Sequence, residues 1–386
     1  MKVLIASDAY YPMVSGSSYF VQRFADILAA AGHEVAVLAS GQGMTATDAY
    51  RGKVRVFSVP AMPTPVPGFY LALPFFINRS INEAIDTFKP DVVHIQMHFA
   101  IARAALHAAR RRGIAVVATN HFMPDNLTHY LHLPNAITNQ IHRLAWADAA
   151  RVFRKAHALS APTKTAVGLM QPQLDKHMWP ISNGIDLKLF NPHNDPAAAR
   201  ATYNLPHKPI LLFVGRLDKE KNVDLVLRAI AVARKNADFH FVAAGQGVEK
   251  AKLQKLSTEL GIDDCVTFTG FVPNELLPSL YAASDAFIIA GTAELQCIVA
   301  MEAMATGLPV LGADAFALPE LVHDGKNGFL FEPGDVQGLA EKIIKLMGNA
   351  EMRKQMGAES LNIIAGHDIS ITLEQFEDLY RAAMNA

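Results

Sequence analysis

The sequence predicts an α/β protein of two domains, each built around a parallel sheet. Apolar strand-like runs alternate with amphipathic helical runs along nearly the whole chain, which is typical of repeated β-α units. The chain has 386 residues, a length at which about two domains are expected. The alternation restarts after a stretch of turn residues near the middle, so we expect two separate sheets.

The first series of elements begins at the N-terminus. A strand at Val3–Ala6, a helix at Phe20–Ala31 and a strand at Glu34–Ala39 form its first β-α-β unit. After an irregular region the pattern returns, with strands predicted at 91–95 and 114–119 and a helix between them that ends near Arg112.

The second series follows the same order. Strands are predicted at Pro209–Gly215, Phe239–Gly245, Cys265–Gly270 and Ala286–Ala290, and helices at Val223–Lys235, Val248–Leu260 and Leu276–Ala283. In open α/β sheets, ligands bind beyond the carboxyl ends of the strands. The residues directly after each strand are therefore the candidates for a binding site.

Turn residues mark the boundary between the domains. Asn183–Asp186 and residues 191–196 are rich in Asn, Asp, Gly and Pro. We predict a first domain at 1–185 and a second at 186–368, with residues 369–386 as a terminal helical segment. The helix predicted at 373–384 places four large side chains on one face: Leu373, Phe376, Leu379 and Tyr380.

Composition excludes several classes of protein. Hydrophobic residues make up 51% of the chain and charged residues 18%, which is typical of a globular enzyme. The apolar stretch from Pro60 to Ile77 is interrupted by prolines and does not suit a membrane-spanning helix. Two cysteines, Cys265 and Cys297, are too few for a disulfide scaffold or a zinc site. Because the chain begins with a strand and not with a signal sequence, we expect a cytoplasmic location.

Charge is distributed unevenly along the chain. Residues 1–185 contain 17 Lys and Arg against 10 Asp and Glu, a balance of +7, whereas residues 186–386 contain 18 against 26, a balance of −8. Basic clusters at 110–112 and 151–155 suggest an anionic acceptor or an anionic membrane surface. A scatter of solvated charges explains the same counts. Nucleic acid is not expected, because no recognition motif accompanies the basic residues.

Two cations follow the first strand of the second series. Residues 213–222 predict a strand end, a turn and a helix start, and they carry Arg216 and Lys221. Arg offers a fork of N–H donors and Lys a mobile charge, so the pair suits a pyrophosphate near a helix N-terminus. The alternative is two surface cations paired with Asp218 and Glu220.

Two glutamates follow the last strand of the second series. The run from Thr292 to Thr306 predicts a loop that opens into an apolar helix, with Glu294 in the loop and Glu302 in the helix. The first amides of such a helix suit an anion. A carboxylate among Ala and Met side chains needs a partner, so we predict that Glu302 accepts from two ribose hydroxyls and Glu294 from sugar hydroxyls. The alternative is two solvated carboxylates on a surface helix.

These segments resemble the retaining glycosyltransferases of family four. Residues 215–222, Gly-Arg-Leu-Asp-Lys-Glu-Lys-Asn, are similar to the family's Gly-Arg-Leu-x-x-x-Lys-Asn motif, and residues 302–310 to the second half of its two-glutamate signature. The first half departs from the family, since Leu295, Gln296 and Cys297 stand where Gly or Ala, Phe and Gly are most frequent. If that last Gly needs a conformation open only to glycine, Cys297 is strained or the loop follows another course.

The resemblance implies the GT-B fold, in which two Rossmann-like domains face each other across a cleft. The first domain then binds the acceptor, the second binds a nucleotide diphosphate sugar, and the C-terminal helix returns to the first domain. The catalytic residues that it implies are His121, Glu294, Arg216 and Lys221. The donor-binding residues that it implies are Gly16, Gly215, Arg216, Lys221, Gly245, Gly247, Gly270, Phe271, Gln296, Cys297, Ile298, Val299 and Glu302.

Cofactor chemistry is not expected. Arg216 and Lys221 are implied to neutralise the leaving diphosphate, so no metal ion or other cofactor is required. The segment 245–247, Gly-Gln-Gly, lacks the third glycine of a dinucleotide fingerprint, which argues against NAD. His94 and His98 have the spacing of a metal pair on a helix, but their segment starts as a strand and no carboxylate completes a ligand set.

We therefore predict a metal-independent, retaining hexosyltransferase that uses a UDP-glucose-like or GDP-mannose-like donor. His121 is implied to contact the sugar near its anomeric centre, and the attack is expected on the face that the diphosphate leaves. Two other classes remain: a sugar-nucleotide epimerase with this fold and a non-catalytic nucleotide-sugar binding protein. The two glutamates favour the transferase over the epimerase, and the complete set of catalytic candidates favours it over the binding protein.

The acceptor is predicted to be a membrane lipid, such as a diacylglycerol or a phosphatidylinositol-type lipid. Residues 65–77 are too apolar for an ordinary surface loop, and residues 294–297, Glu-Leu-Gln-Cys, resemble the Glu-Thr-Gln-Gly form of glycolipid-forming members. We expect peripheral association with anionic lipid at the inner face of the cell membrane. The alternatives are packing of this stretch in the first core and transfer to a small soluble acceptor, such as a sugar or inositol phosphate.

Overall fold

The structure is a computed structural model of the chain. It describes residues 1–11, 13, 15–64, 70–124 and 134–386, with Pro74, Phe75 and Asn135 described by their backbone alone. Two compact units make up the chain: Met1–Asn183 together with Ser370–Ala386, and Gly184–Ile369. Part of the predicted lipid-binding stretch, at 65–69, lies outside the described residues.

The first unit contains an eight-stranded sheet and a two-stranded one. The strands are β1 (Lys2–Ala6), β2 (Glu34–Ser40), β3 (Thr47–Arg51), β4 (Val54–Val59), β5 (Ala61–Pro63), β6 (Tyr70–Ala72), β7 (Val92–Ile95), β8 (Ala115–Thr119), β9 (Ala158–Ala161) and β10 (Met178–Pro180). The order across the large sheet is β10-β9-β8-β7-β1-β2-β4-β3, and only β3 and β4 pair in antiparallel fashion. The predicted parallel sheet is therefore confirmed, with an added antiparallel edge.

Among the described residues, the long segment of the first unit contains the helices α1 (Gly16–Ala30), α2 (Pro74–Phe88), α3 (Ala100–Arg111), α4 (Asn135–Phe153) and α5 (Lys164–Met170). A 3-10 turn follows at Gln171–Gln173. Ser15 begins α1, because its side chain accepts from the Ser18 amide while the Ser18 hydroxyl accepts from the Ser15 amide. The central strands are buried along their whole length, as expected for a parallel sheet covered by helices on both faces.

The second unit contains a six-stranded parallel sheet. Its strands are β11 (Ile210–Val214), β12 (His240–Ala244), β13 (Val266–Gly270), β14 (Ala286–Ile289), β15 (Val310–Ala313) and β16 (Gly328–Phe331), in the order β13-β12-β11-β14-β15-β16. Its helices are α6 (Ala197–Tyr203), α7 (Val223–Ala233), α8 (Lys250–Glu259), α9 (Leu277–Ala282), α10 (Ile298–Ala305), α11 (Leu318–Leu321), α12 (Val336–Met347) and α13 (Ala350–Ile364). Short 3-10 turns lie at Lys219–Lys221, Asp263–Cys265 and Ala365–His367. All the strands and helices predicted for this region form, with ends that differ by a few residues.

The last helix, α14 (Ile369–Met384), starts four residues before the predicted position. Phe376 is buried with its ring centroid 4.8 Å from that of Phe24 in α1. The Tyr380 hydroxyl lies 2.7 Å from Nδ1 of His94, whose Nε2 lies 2.6 Å from the Thr119 hydroxyl. This segment therefore packs into the core of the first unit.

His94 belongs to that core. Burial lowers the pKa of His94 to about 3, so its imidazole is neutral, and both ring nitrogens have protein partners. Within the described part of the chain, no group of three His, Cys, Asp or Glu side chains is arranged to hold a metal ion. Over the same residues, no helix is both long enough and apolar enough to cross a membrane.

Candidate functional site

Apart from Gly16, which lies in the first unit, the predicted donor-binding residues gather at one edge of the second sheet. Strands β13, β12, β11 and β14 are neighbours and run parallel, so the loops after them share the carboxyl edge. Gly215 follows β11, Gly245 follows β12, Gly270 ends β13, and the loop with Glu294 follows β14. Gly215 and Glu294 are 79 positions apart in the sequence, and the parallel sheet brings their loops to the same edge.

Arg216 is held by two buried acids. Its Nη1 lies 2.8 Å from an oxygen of Asp218, and its Nη2 lies 2.6 Å from one of Glu220. The two carboxylates are buried, whereas 39% of the Arg216 side chain is exposed. The pairing that the sequence left as an alternative therefore exists, and it fixes a guanidinium that still faces solvent at the sheet edge.

Lys221 forms an ion pair with Glu294. Its Nζ lies 2.7 Å from Oε1 of Glu294 and 3.7 Å from Oε1 of Glu220. Burial alone would lower the pKa of the Lys221 amine, but the charges of Glu294 and Glu220 outweigh burial and raise that pKa. Lys221 is therefore a permanent, largely buried cation. The alternative prediction, in which Lys221 is a surface cation, is wrong.

Glu302 has the partner that its apolar surroundings require. It is buried in α10, and the hydroxyl of Tyr281 donates to its Oε2 at 2.9 Å. The same hydroxyl lies 3.2 Å from the Val299 carbonyl. The alternative of a solvated carboxylate is wrong for Glu302, whereas its role toward a ribose stays a prediction.

Cys297 adopts an ordinary backbone conformation. Its φ of −88° and ψ of 92° are open to any residue, so a cysteine at the position of the family's glycine is not strained. Burial, with Glu294 nearby, raises the pKa of the Cys297 thiol, which stays protonated. The loop follows a course that accepts this side chain, and Gln296 beside it is also buried.

The first turn of α10 offers backbone amides toward the same edge. The amides of Ala300 and Met301 both donate to the Cys297 carbonyl. The amides of Ile298 and Val299 precede these bonds and have no acceptor within the helix. Both side chains are partly exposed, so this turn has the geometry that an anion needs.

The two glycines after β12, Gly245 and Gly247, are required by close contact with the backbone after β11. A Cβ on Gly245 would lie 1.8 Å from the Gly215 carbonyl oxygen, and one on Gly247 would lie 2.3 Å from the Leu217 carbonyl oxygen. Their presence is therefore explained by packing between two loops, without a ligand. Phe271, the residue after Gly270, is 51% exposed, which leaves an aromatic face free at the end of β13.

Two predicted site residues lie in the first unit. His121 lies two residues after the end of β8, and Gly16 is the first residue of α1. His121 Nε2 lies 2.8 Å from Oε1 of Gln96, and burial lowers the pKa of His121 to about 3. A glutamine oxygen can only accept, so the neutral ring carries its proton on Nε2 and a lone pair on Nδ1. A Cβ at Gly16 would meet no atom of the described residues within 4 Å.

Several residues of the site were not predicted. Tyr281 holds Glu302, and Asn222 donates to the Ala290 carbonyl at 2.9 Å, which ties the turn after β11 to the end of β14. A Cβ on Gly291 would lie 3.3 Å from Oε1 of Glu294 and 3.4 Å from Cδ of Lys221. Gly291, two residues after β14, was the signal available in the sequence for this last contact.

Comparisons with known proteins agree along most of the chain. The family model described as glycosyl transferases group 1 matches residues 197–362, and the model described as Glycosyltransferase Family 4 matches residues 14–189. The chain is 31% identical over 342 residues to the GDP-mannose-dependent alpha-mannosyltransferase of Mycobacterium tuberculosis, covering 87% of this chain and 85% of that protein.

A second relative and a solved structure extend the comparison. The alpha-monoglucosyldiacylglycerol synthase of Acholeplasma laidlawii is 28% identical over 366 residues, which are 91% of this chain and 89% of that protein. The structure of sucrose-phosphate synthase from Thermosynechococcus elongatus is similar in fold, with a TM-score of 0.80 at 20% identity over 98% of both chains.

Proposed function

This chain belongs to the group 1 glycosyltransferases, and from that premise we propose that it moves a hexose from a nucleotide diphosphate sugar to a hydroxyl of a membrane lipid. It has the GT-B fold and is a glycosyltransferase that uses nucleotide sugars. The proposed donor is GDP-mannose-like or UDP-glucose-like. The proposed acceptor is a diacylglycerol or a phosphatidylinositol-type lipid.

The ion pair between Lys221 and Glu294 carries the proposal for the donor site. A buried ammonium 2.7 Å from a carboxylate can turn to a phosphate oxygen, while the carboxylate accepts from a sugar hydroxyl instead. Arg216 adds a guanidinium fixed by Asp218 and Glu220. Two fixed cations stabilise the charge that grows on a departing diphosphate, which supports transfer without a metal ion.

We propose that the configuration at the anomeric carbon is retained. In this mechanism the leaving phosphate oxygen takes the proton of the acceptor hydroxyl on the face that the diphosphate leaves. Lys221 and Arg216 hold that phosphate close to the sugar, and Glu302, fixed by Tyr281, holds the ribose. His121 accepts from a sugar hydroxyl through its Nδ1.

Exposed apolar side chains in the first unit support a lipid acceptor. Leu71 in β6 and Phe76 in α2, both in the predicted stretch, and Met62 just before it in β5 are between 48% and 58% exposed, so these three side chains are not packed into the core. By contrast, Ile77 is fully buried. The relative from Acholeplasma laidlawii is named as a synthase of a glucosyldiacylglycerol, which is the same class of product.

The basic cluster at 110–112 contributes less than its sequence suggests. The Arg112 Nε lies 2.7 Å from Oδ1 of Asp86, so the charge of Arg112 is paired within the unit. Arg110 donates to the Lys155 carbonyl, which fixes its guanidinium. Arg111 is exposed at the end of α3. We therefore assign membrane attraction mainly to the apolar side chains, with Arg111 as an auxiliary cation.

Liposome co-sedimentation with transfer assays tests the acceptor. The double variant Leu71→Ser with Phe76→Ser should lose vesicle binding and transfer to diacylglycerol in vesicles, because two exposed apolar anchors are removed. The control Val248→Ser, at a 72% exposed apolar side chain of the second unit, should behave as the wild type. Absence of vesicle binding by the wild type, with efficient transfer to a soluble sugar or inositol phosphate, would contradict the lipid acceptor.

A further inference from the structure

Three buried polar atoms at the carboxyl edge of the first sheet have no hydrogen-bond partner among the described residues. They are Nε2 of Gln96, Nδ2 of Asn120 and Nδ1 of His98. All three side chains are buried, and two of them are amides. Buried polar groups have hydrogen-bond partners in the great majority of cases. Two buried NH2 groups without a partner at a sheet edge therefore require an explanation.

Gln96 contacts His121, and Asn120 directly precedes His121 in the chain. Gln96 follows β7 and Asn120 follows β8, and these strands are parallel neighbours that pair Ile95 with Ala118. The Oε1 of Gln96 accepts from His121 at 2.8 Å. The two amides and the imidazole therefore follow the ends of two adjacent strands at the same edge of the sheet.

Each amide is held in one orientation by its oxygen. The Asn120 Oδ1 accepts from the Phe122 backbone amide at 3.1 Å, and the Gln96 Oε1 accepts from His121 Nε2. Exchange of oxygen and nitrogen in Asn120 would set a donor against the Phe122 amide, and the orientation of Gln96 goes with the Nε2–H tautomer of His121. The NH2 groups of Gln96 and Asn120 are therefore the ends left for another molecule, and His121 Nδ1 is an acceptor next to them.

We propose that Gln96 and Asn120 donate, and His121 Nδ1 accepts, hydrogen bonds to neighbouring hydroxyl groups of one polyol ring, either a sugar or a cyclitol. Hydroxyls both donate and accept, which matches two donors beside one acceptor. The group carries no formal charge, because His121 is neutral, so it suits hydroxyls better than a phosphate. The inference rests on the proposed function, since the ring is either the transferred sugar or part of the acceptor.

Substitutions that remove only the donors test this site. Gln96→Glu and Asn120→Asp keep the oxygen that accepts from His121 or Phe122 and lose the NH2 group. Gln96→Met removes the whole amide, including the oxygen that accepts from His121, and adds no charge, so it separates lost hydrogen bonding from the effect of a carboxylate. Ser257→Ala is the control, because Oγ of Ser257 is the fourth buried polar atom without a described partner and lies in α8 of the second unit.

The measurements distinguish the two sources of the ring. Calorimetric titration compares GDP-mannose with GDP and UDP-glucose with UDP, and transfer assays give KM for diacylglycerol vesicles and for inositol phosphate. We expect each site variant to lose about tenfold in one of these quantities, whereas Ser257→Ala loses nothing. A loss in the sugar-dependent part of donor affinity assigns the ring to the donor, and a rise in the acceptor KM assigns it to the acceptor.

Thermal unfolding separates binding from a structural role. Removing an NH2 group that has no partner should not lower Tm. Gln96→Met also loses the His121 contact, so its Tm should fall by no more than that one lost hydrogen bond explains, while ligand binding weakens. Unchanged ligand affinities in every variant, or a fall in Tm as their only effect, would overturn the proposal. If the wild type transfers no sugar at all, the proposed function fails instead, and saturation-transfer NMR with mannose, glucose and myo-inositol still tests the site: a signal lost in the variants supports it, and no signal overturns it.

Discussion

Lys221 Nζ and Glu294 Oε1 lie 2.7 Å apart, so the cation expected at the diphosphate and the carboxylate expected at the sugar form one ion pair. Their side chains are only 19% and 15% exposed, which shields the pair from water and salt. Glu220, at 3.7 Å, shares the same ammonium. The arrangement makes the two halves of the donor site depend on each other.

Replacing Lys221 should abolish most of the turnover. We expect Lys221→Ala to lower kcat by at least about a hundredfold, because the departing diphosphate loses a fixed cation and Glu294 loses its partner. Arg216→Ala should act in the same direction. The control Lys219→Ala changes an exposed lysine in the same turn and should keep nearly full activity. Near-normal kcat in the Lys221 variant would rule out this diphosphate site.

Changes at Glu302 and Tyr281 should mainly affect donor binding. Glu302→Ala should raise the Kd for the nucleotide sugar more than it lowers kcat, because a ribose contact serves ground state and transition state alike. Tyr281→Phe removes only the hydroxyl that donates to Glu302 Oε2, so it should give a smaller change in the same direction. Calorimetric titration with GDP and UDP measures both. Unchanged nucleotide affinity in both variants would mean that Glu302 has a purely structural role.

Stability should decrease as the pH falls below about 6.5. Burial lowers the pKa of His94 and His121 to about 3 and that of His98 to about 4, so the unfolded chain takes up protons there that the folded chain does not. Asp8 opposes this effect, because burial raises its pKa to about 6 and the folded form gains a proton first. Three histidines outweigh one aspartate, and the free energy of unfolding should fall by about 3 kcal/mol or more between pH 7 and pH 4.5.

Chemical denaturation across that pH range measures the decrease. His94→Gln should flatten the dependence, since one of the groups responsible is removed, while the exposed control His193→Gln should keep the wild-type slope. A free energy of unfolding that stays constant or rises toward pH 4.5 would contradict neutral buried histidines.

Gly245 should tolerate no side chain. Gly245→Ala places a Cβ 1.8 Å from the Gly215 carbonyl oxygen, so the loops after β11 and β12 must separate, and we expect a loss of roughly 2 kcal/mol or more in stability. Gly168→Ala is the control, because a Cβ there meets no atom within 4 Å and α5 gains helix propensity of up to about 1 kcal/mol. Equal Tm values for the two variants would contradict the close contact.

The regular elements could be predicted from the sequence because their hydrophobic periods are clear. The region between β2 and β7 was predicted to be irregular, which is wrong, because it holds β3 to β6 and α2. Of these, β3 had no signal, since Thr47–Arg51 is exposed at the sheet edge and shows no apolar alternation. The cations and glutamates of the site were found through short motifs, whereas their partners were not. Tyr281 reaches Glu302 from another helix, and such a contact depends on tertiary packing that one sequence does not reveal.

For Gln96 and Asn120, the sequence predicts the position of each residue but not its hydrogen bonds. Each residue directly follows a predicted or observed strand, so its place at the sheet edge follows from the sequence. That their NH2 groups have no described partner depends on the orientation of two amides, which is visible only in the structure.

Acceptor-dependent release of nucleotide tests the central claim most directly. Wild-type protein is incubated with GDP-mannose or UDP-glucose, with and without diacylglycerol vesicles, in the presence of a metal chelator, and the products are identified by NMR. The account predicts that GDP or UDP is released only with acceptor, in equal amount to an α-linked glycoside, and that Lys221→Ala forms neither. A changed sugar still attached to the nucleotide, or a β-linked product, would contradict it.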